Sequence, residues 1–165
     1  MAIDLHEASP EYPVVNAVVA HPLAYELAAE AVVNLQMEGI DISLEQSPEN
    51  LRGLSHREWG DYLQIPAVLL ETASTMHGRY HGKKTAEKII TGQDDFYHEA
   101  AQQHLLKVDY PEDGLPLNQR VARHLFSLQK MIEIWNSYHP DHAIVVQHIP
   151  DYYEMMEKGI GAFLK

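Results

Sequence analysis

Two side chains of this 165-residue chain combine the type and the setting that hydrolytic chemistry needs, His6 and Glu71. His6 closes the run Met1-Ala-Ile-Asp-Leu-His6, where Asp4 and His6 share one face and Ile3 and Leu5 the other, as in a strand. Glu71 follows Ile65-Pro66-Ala67-Val68-Leu69-Leu70, a continuous apolar run of the kind a buried strand of an α/β sheet shows. Ligands of such sheets gather at the carboxyl ends of the strands. An imidazole and a carboxylate placed there match the third metal ligand and the general base of a typical zinc hydrolase. In such a site the metal polarises a carbonyl and lowers the pKa of its water, and the carboxylate moves the proton. The bland counterpart for Glu71 is a strand that simply ends in an exposed glutamate.

The elements that must position this pair follow from pattern. Glu7 to Pro13 reads as a polar loop after the first strand. Pro22 suits a first helical turn, Leu23, Leu27, Ala31 and Leu35 recur at helical spacing, and Gly39 supplies the stop. Ile40 to Glu45 alternates as a half-buried strand, and Ser47 to Leu54 is a loop or one irregular turn. Ser55-His-Arg-Glu58 has the spacing of a capping box, opening a short helix through Tyr62. Beyond Glu71, Thr72 to Asp113 has no strong period, with helices expected over Thr85–Ile90 and Phe96–Leu106. Leu117, Val121, Leu125, Leu128, Ile132 and Trp135 make one apolar stripe, which predicts a helix over Leu117 to Tyr138. Ala143 to Gln147 is a strand candidate and Tyr152 to Leu164 a closing helix. The alternation of strand and helix predicts a single α/β domain over residues 1–165 with a mainly parallel sheet flanked by helices. A strand pattern that begins at the first residues, with no turn before it, suggests a piece of something longer.

Composition narrows the partners. Apolar residues make up 45% and charged residues 22%, ordinary for a globular protein. Twelve Lys and Arg stand against 24 Asp and Glu, a formal net charge of −12. That field repels phosphate backbones and anionic bilayers, so neither nucleic acid nor membrane is an expected partner. Cysteine is absent, which removes disulfides and thiolate chemistry. With no basic-apolar leader at the N-terminus, the cytoplasm is the expected location. Eleven histidines make a metal worth looking for.

Asp4-Leu5-His6-Glu7, the helix and strand after it, and Ala67-Val68-Leu69-Leu70-Glu71-Thr72 together resemble the second half of the M14 zinc carboxypeptidase family. The likeness is closest to its succinylglutamate desuccinylase and aspartoacylase-like branch, and covers roughly residues 2 to 136. The resemblance implies Zn2+ as cofactor, His6 as its last protein ligand and Glu71 as general base. The substrate would be a small molecule or peptide whose scissile amide lies next to a free carboxylate. It also raises Arg79, in the loop past Glu71, as the anchor for that carboxylate, with Arg52 and Arg57 as weaker candidates. The family's other two zinc ligands come from an upstream His-x-x-Glu, and no histidine of this chain is followed three positions later by Glu. One histidine cannot hold a three-ligand catalytic zinc.

Other histidines lean toward structural roles. His139-Pro-Asp-His142 has the composition of a turn, and Gly78 and Gly82 argue for a loop around His77 and His81. Two readings remain. One is a zinc-dependent carboxypeptidase or deacylase completed by ligands from elsewhere. The other is a catalytically inactive truncated domain or scaffold. On the reading of half an enzyme, an isolated half sheet exposes the Asp4–His6 strand as an edge. Self-association, or pairing with an N-terminal half, is therefore expected.

Overall fold

The sheet is built around Ala17–Ala20 (β2), a strand whose four residues are all buried and which the patterns above do not anticipate. The structure is a computed structural model and describes residues 1–164. Four residues are too few to show a period, and a short apolar run fits a helix as well as a strand. Only the β-branched pair Val18-Val19 and the nearby Pro22 gave a signal.

Among the described residues one sheet of four strands runs in the order β1-β4-β2-β3, with β1 Ala2–Ala8, β3 Ser43–Gln46 and β4 Ala67–Ala73. β2 pairs parallel with β3, Ala17 opposite Ser43, and antiparallel with β4, Ala17 opposite Glu71. β1 lies beside β4 in the same direction. The Ala2 N–H donates to the Pro66 carbonyl at one end and the Ser74 N–H to the Ala8 carbonyl at the other. The protein is therefore α/β with a mostly parallel sheet flanked by helices. β1 forms one border of that sheet, and Leu5, expected on an apolar face, is 45% exposed.

The chain divides into two compact units, and the division falls within β1, β4 and the longest helix. The first unit holds residues 1–6, 17–71 and 125–149. Its core includes Val18, Leu35, Val68, Leu70 and Met131, all at or near complete burial. His21 caps a 3-10 turn at Pro22–Ala24 through its Nδ1, and helix α1 (Tyr25–Met37) buries Leu27, Ala28, Ala31, Val32 and Leu35. Gly39, at a φ of +81°, ends it as expected. The following strand starts later than expected, at Ser43, because Ile40 and Ile42 are spent on the core before pairing begins. Helix α2 (Ser55–Leu63) then leads into β4.

The second unit holds residues 7–16, 72–124 and the chain from Pro150 on. It carries helices α3 (Ala86–Thr91), α4 (Asp95–Gln102) and α6 (Tyr152–Lys158), with Thr85, Asp94 and Asp151 as side-chain N-caps. Such caps each satisfy a free backbone N–H and stabilise a helix by ~1 kcal/mol. Helix α5 (Leu117–Tyr138) has the predicted limits.

Four expectations need correction. β1 runs on through Ala8, and Ser9, Pro10 and Glu11 behind it are buried rather than a solvated loop, because Glu11 accepts bonds from Tyr97 Oη and the Arg79 N–H. The helix expected over Phe96–Leu106 stops at Gln102, with His104 at a φ of +56°. Ala143 to Gln147 is not a strand. It is irregular and exposed, held at Ile144 by two bonds to the Asn136 side chain, and no strand of the described residues pairs with it. The closing helix breaks at Gly159, at a φ of +73°, into a 3-10 turn over Ile160–Phe163.

Candidate functional site

In a parallel pair each N–H reaches the carbonyl one residue before its neighbour, and each carbonyl the N–H one residue after. The two end bonds of β1 and β4 thus set Ala2 beside residue 67 and Ala8 beside residue 73, the same offset at both ends (67 − 2 = 73 − 8 = 65). That offset places His6 beside Glu71 and projects both side chains from the same face, with Asp4 two residues before His6 on that face. The pair singled out from sequence is brought together. Both residues sit fifth of seven in their strands rather than at the tips.

Glu71 is half-buried. Its Oε2 is enclosed and receives no hydrogen bond from any described residue. Burial raises its pKa above the usual carboxylate value of 4.5. The nearby His6 opposes that rise and the negative charge of Asp4 adds to it. His6 is more open, with 47% of its side chain exposed, and its Nε2 lies 3.2 Å from Asp4 Oδ2.

The first turn of α2 closes on this cluster. Leu54 is the N-cap residue and makes no side-chain cap bond. The capping box expected between Ser55 and Glu58 does not form. Ser55 donates its hydroxyl to Asp4 Oδ2 instead, and Glu58 Oε1 accepts from the Gly53 N–H at 2.7 Å. Next along the helix, His56 is 1% exposed, and neither ring nitrogen has a hydrogen-bond partner among the described residues. Burial holds its pKa below the usual 6.5, against the pull of Asp4.

α2 is fixed in turn by Asp61. Its carboxylate accepts from Arg57 Nε and Nη2, both at 2.8 Å, from Arg52 at 2.5 Å, and from His21 Nε2 at 3.1 Å. These bonds, Arg57 first and His21 next, hold the Asp61 pKa down at about 2. Of the two, Arg57 is nearly buried against Asp61, whereas the Arg52 side chain stays 60% exposed. Asp4, Ser55 and His56 were not expected in the cluster. The signal for Asp4 was its shared face with His6. For Ser55 and His56 there was none, since their neighbour lies 51 residues away from Ser55 in the chain.

Arg79 belongs to the second unit. Its N–H donates to Glu11 Oε1 at 2.8 Å and its guanidinium lies 5.4 Å from the centre of the Tyr80 ring. It lines an open surface hollow of about 340 Å³ with Tyr80, Phe96, Ala100 and Leu105. His77 and His81 lie outside any helix, in the loop that their glycines suggested.

The donor set for zinc falls short. No group of three or more His, Asp or Glu side chains among the described residues is arranged to hold a metal ion, and a catalytic zinc takes three protein ligands. His6 with the carboxylates of Asp4 and Glu71 does not fit a resident zinc by itself. No helix of the described residues is long and apolar enough to cross a membrane.

No protein-family model matches this chain, and neither a curated protein nor a solved structure was found to be similar to it.

Proposed function

We propose that this chain carries half of a hydrolase site of the zinc carboxypeptidase or deacylase type, acting on an amide next to a free carboxylate. The observation that supports this reading is Glu71: a carboxylate with an enclosed, unbonded oxygen and a raised pKa, registered beside an imidazole. A base whose pKa is raised toward the working pH accepts a proton more readily when water attacks a carbonyl. In this role Glu71 takes the proton of the attacking water and returns it to the departing amine nitrogen. His6 serves as a metal ligand in this reading, and the remaining ligands come from another segment or chain.

A second reading has its own support. The lack of a third donor among the described residues favours a scaffold that keeps this packing without the chemistry.

Metal content and hydrolysis separate the two. The chain is purified in trace zinc as wild type, His6→Ala and Glu71→Gln, and assayed against N-acyl amino acids. About one zinc per chain, lost in His6→Ala, with hydrolysis lost in Glu71→Gln while zinc stays bound, is the result expected of a site completed between chains. No zinc and no hydrolysis in wild type would favour the scaffold.

A further inference from the structure

β1 lies along an unpaired border of the sheet. β4, with a strand on either side, buries six of its seven residues, whereas β1 buries none of its seven. The Ala2 N–H and the Ala8 carbonyl both bond toward β4. Backbone groups alternate from side to side along a strand. Ile3, Leu5 and Glu7 therefore turn theirs away from the sheet, where no strand of the described residues meets them. α2 touches β1 on one face, through Ser55 and Asp4, and leaves the border open. Leu5 on one face and the His6 side chain on the other are each nearly half exposed. Native sheets blunt such borders with lysine, with proline or by keeping the strand very short. β3, at the opposite border, has four residues, and Pro48 follows two positions after it. β1 is longer and contains neither lysine nor proline.

We infer that β1 is the interface of a symmetric dimer, pairing antiparallel with the β1 of a second copy about a two-fold axis at Leu5. An axis perpendicular to the sheet keeps each face of one copy continuous with the same face of the other. It sets Leu5 opposite the partner's Leu5, Ile3 opposite the partner's Glu7 and Glu7 opposite the partner's Ile3. These are the residues with outward backbone groups, and each such pair exchanges two backbone bonds. Between them Asp4 faces the partner's His6, and His6 the partner's Asp4, at the positions where side chains of an antiparallel pair stand closest. A carboxylate thus meets an imidazole on each side of the axis. Moving the axis to Asp4 would set two carboxylates directly opposite, which is destabilising. Moving it to His6 would leave Ile3 facing a position beyond the end of the strand. Charge and strand length together select Leu5. Pairing of this isologous kind uses up both β1 borders and stops at two copies, leaving only the short β3 at the outer edges. The self-association expected from the sequence acquires a strand, a register and an end point. It needs neither metal nor turnover, and does not rest on the hydrolase reading.

The test weighs the full chain by light scattering over a concentration series, in buffer with a chelator. Wild type is expected to reach twice 18.8 kDa. Leu5→Lys sets two ammonium groups opposite each other at the axis and is expected to raise the dissociation constant about tenfold or more. Leu5→Pro removes an N–H that the single copy leaves unpaired and is expected to act in the same direction. Thermal transitions show whether these variants are folded. The chain has no cysteine, so single introduced cysteines report the register. Opposed hydrogen-bonded residues stand about 5.5 Å apart at Cα, within reach of a disulfide, so Leu5→Cys is expected to cross-link to a dimer on mild oxidation. Ile3→Cys lies on the same face but roughly 14 Å from its symmetry mate, and is not expected to cross-link. Should both Leu5→Lys and Leu5→Pro unfold, the cysteine pair alone decides. A monomeric wild type, a dimer left intact by the folded variants, or faster cross-linking at Ile3→Cys than at Leu5→Cys would each overturn the proposal. A monomer would leave the border to an extended segment of another chain.

Discussion

Gly60 packs so closely on the imidazole of His21 that a Cβ built there would lie 2.3 Å from the ring carbons Cγ and Cδ2. The contact is between a helix backbone and a ring that is only 5% exposed and bonded at both nitrogens. His21 cannot step aside without losing the Asp61 bond or the cap on Leu23. Gly60→Ala is therefore expected to destabilise by about 1–3 kcal/mol through overpacking. That sign is opposite to the ~1 kcal/mol that alanine gains over glycine in a free helix interior. Urea unfolding measures the balance, and a gain in stability would show that the ring gives way freely.

Glu71 makes the fold sensitive to pH in one direction. Its folded-state pKa is raised above 4.5, so the folded chain holds that proton more tightly than the unfolded chain does. Its contribution to stability is largest at low pH and is lost as pH rises from about 4.5 through the folded value. Glu71→Gln removes the charge and the loss with it. The variant is expected to be more stable than wild type at pH 7, with the difference shrinking toward pH 4. Thermal melts at the two pH values check this, and a variant less stable at pH 7 would contradict it.

His56 acts with the opposite sign. Its folded-state pKa lies below 6.5, so its contribution is complete above that value and is lost as pH falls through the folded value. His56→Leu removes two buried, unbonded ring nitrogens. It is expected to stabilise by about 1 kcal/mol at pH 7, since a buried polar group without a partner costs about 1–3 kcal/mol. The gain should widen as pH is lowered toward 5. A loss of stability at pH 7 would mean that the ring nitrogens have partners.

Asp61 sets the acid limit of the first unit. Its pKa is held down at about 2, so its stabilisation is present above 3.8 and is lost as pH falls through about 2. Asp61→Asn leaves Arg57, with only 7% of its side chain exposed, without its charged partner. The variant is expected to be less stable at neutral pH and to lose that part of the acid transition. An unchanged acid midpoint would show that the network carries no stability.

Elements with a long period or a distinct apolar run were legible in the chain, and the shortest strand was not. α5 spans about six turns, and its stripe from Leu117 to Trp135 marked it as a helix, although the buried apolar positions are Ala122, Met131 and Ile134 and the stripe itself is only half-buried. β2 has four residues and no alternation to read. Residues 143–147 have the β-branched composition of a strand, but such composition needs a neighbouring strand, and this segment has none. His6 and Glu71 could be paired because each ends a recognisable apolar pattern. Ser55 and His56 could not, because their role depends on where α2 lands against β1, which no local pattern encodes.

The offset of 65 residues between β1 and β4 has a kinetic meaning. β1 and β4 can pair only by closing a loop that contains β2, α1, β3 and α2. Contacts of such high sequence separation carry their chain-entropy cost before any reward arrives, and they slow folding. The His6 ring thus acquires Glu71 as a neighbour only when the loop of 64 intervening residues is closed. An NMR or fluorescent reporter at His6 would therefore register the closure of β1 on β4 and not the formation of the elements between them.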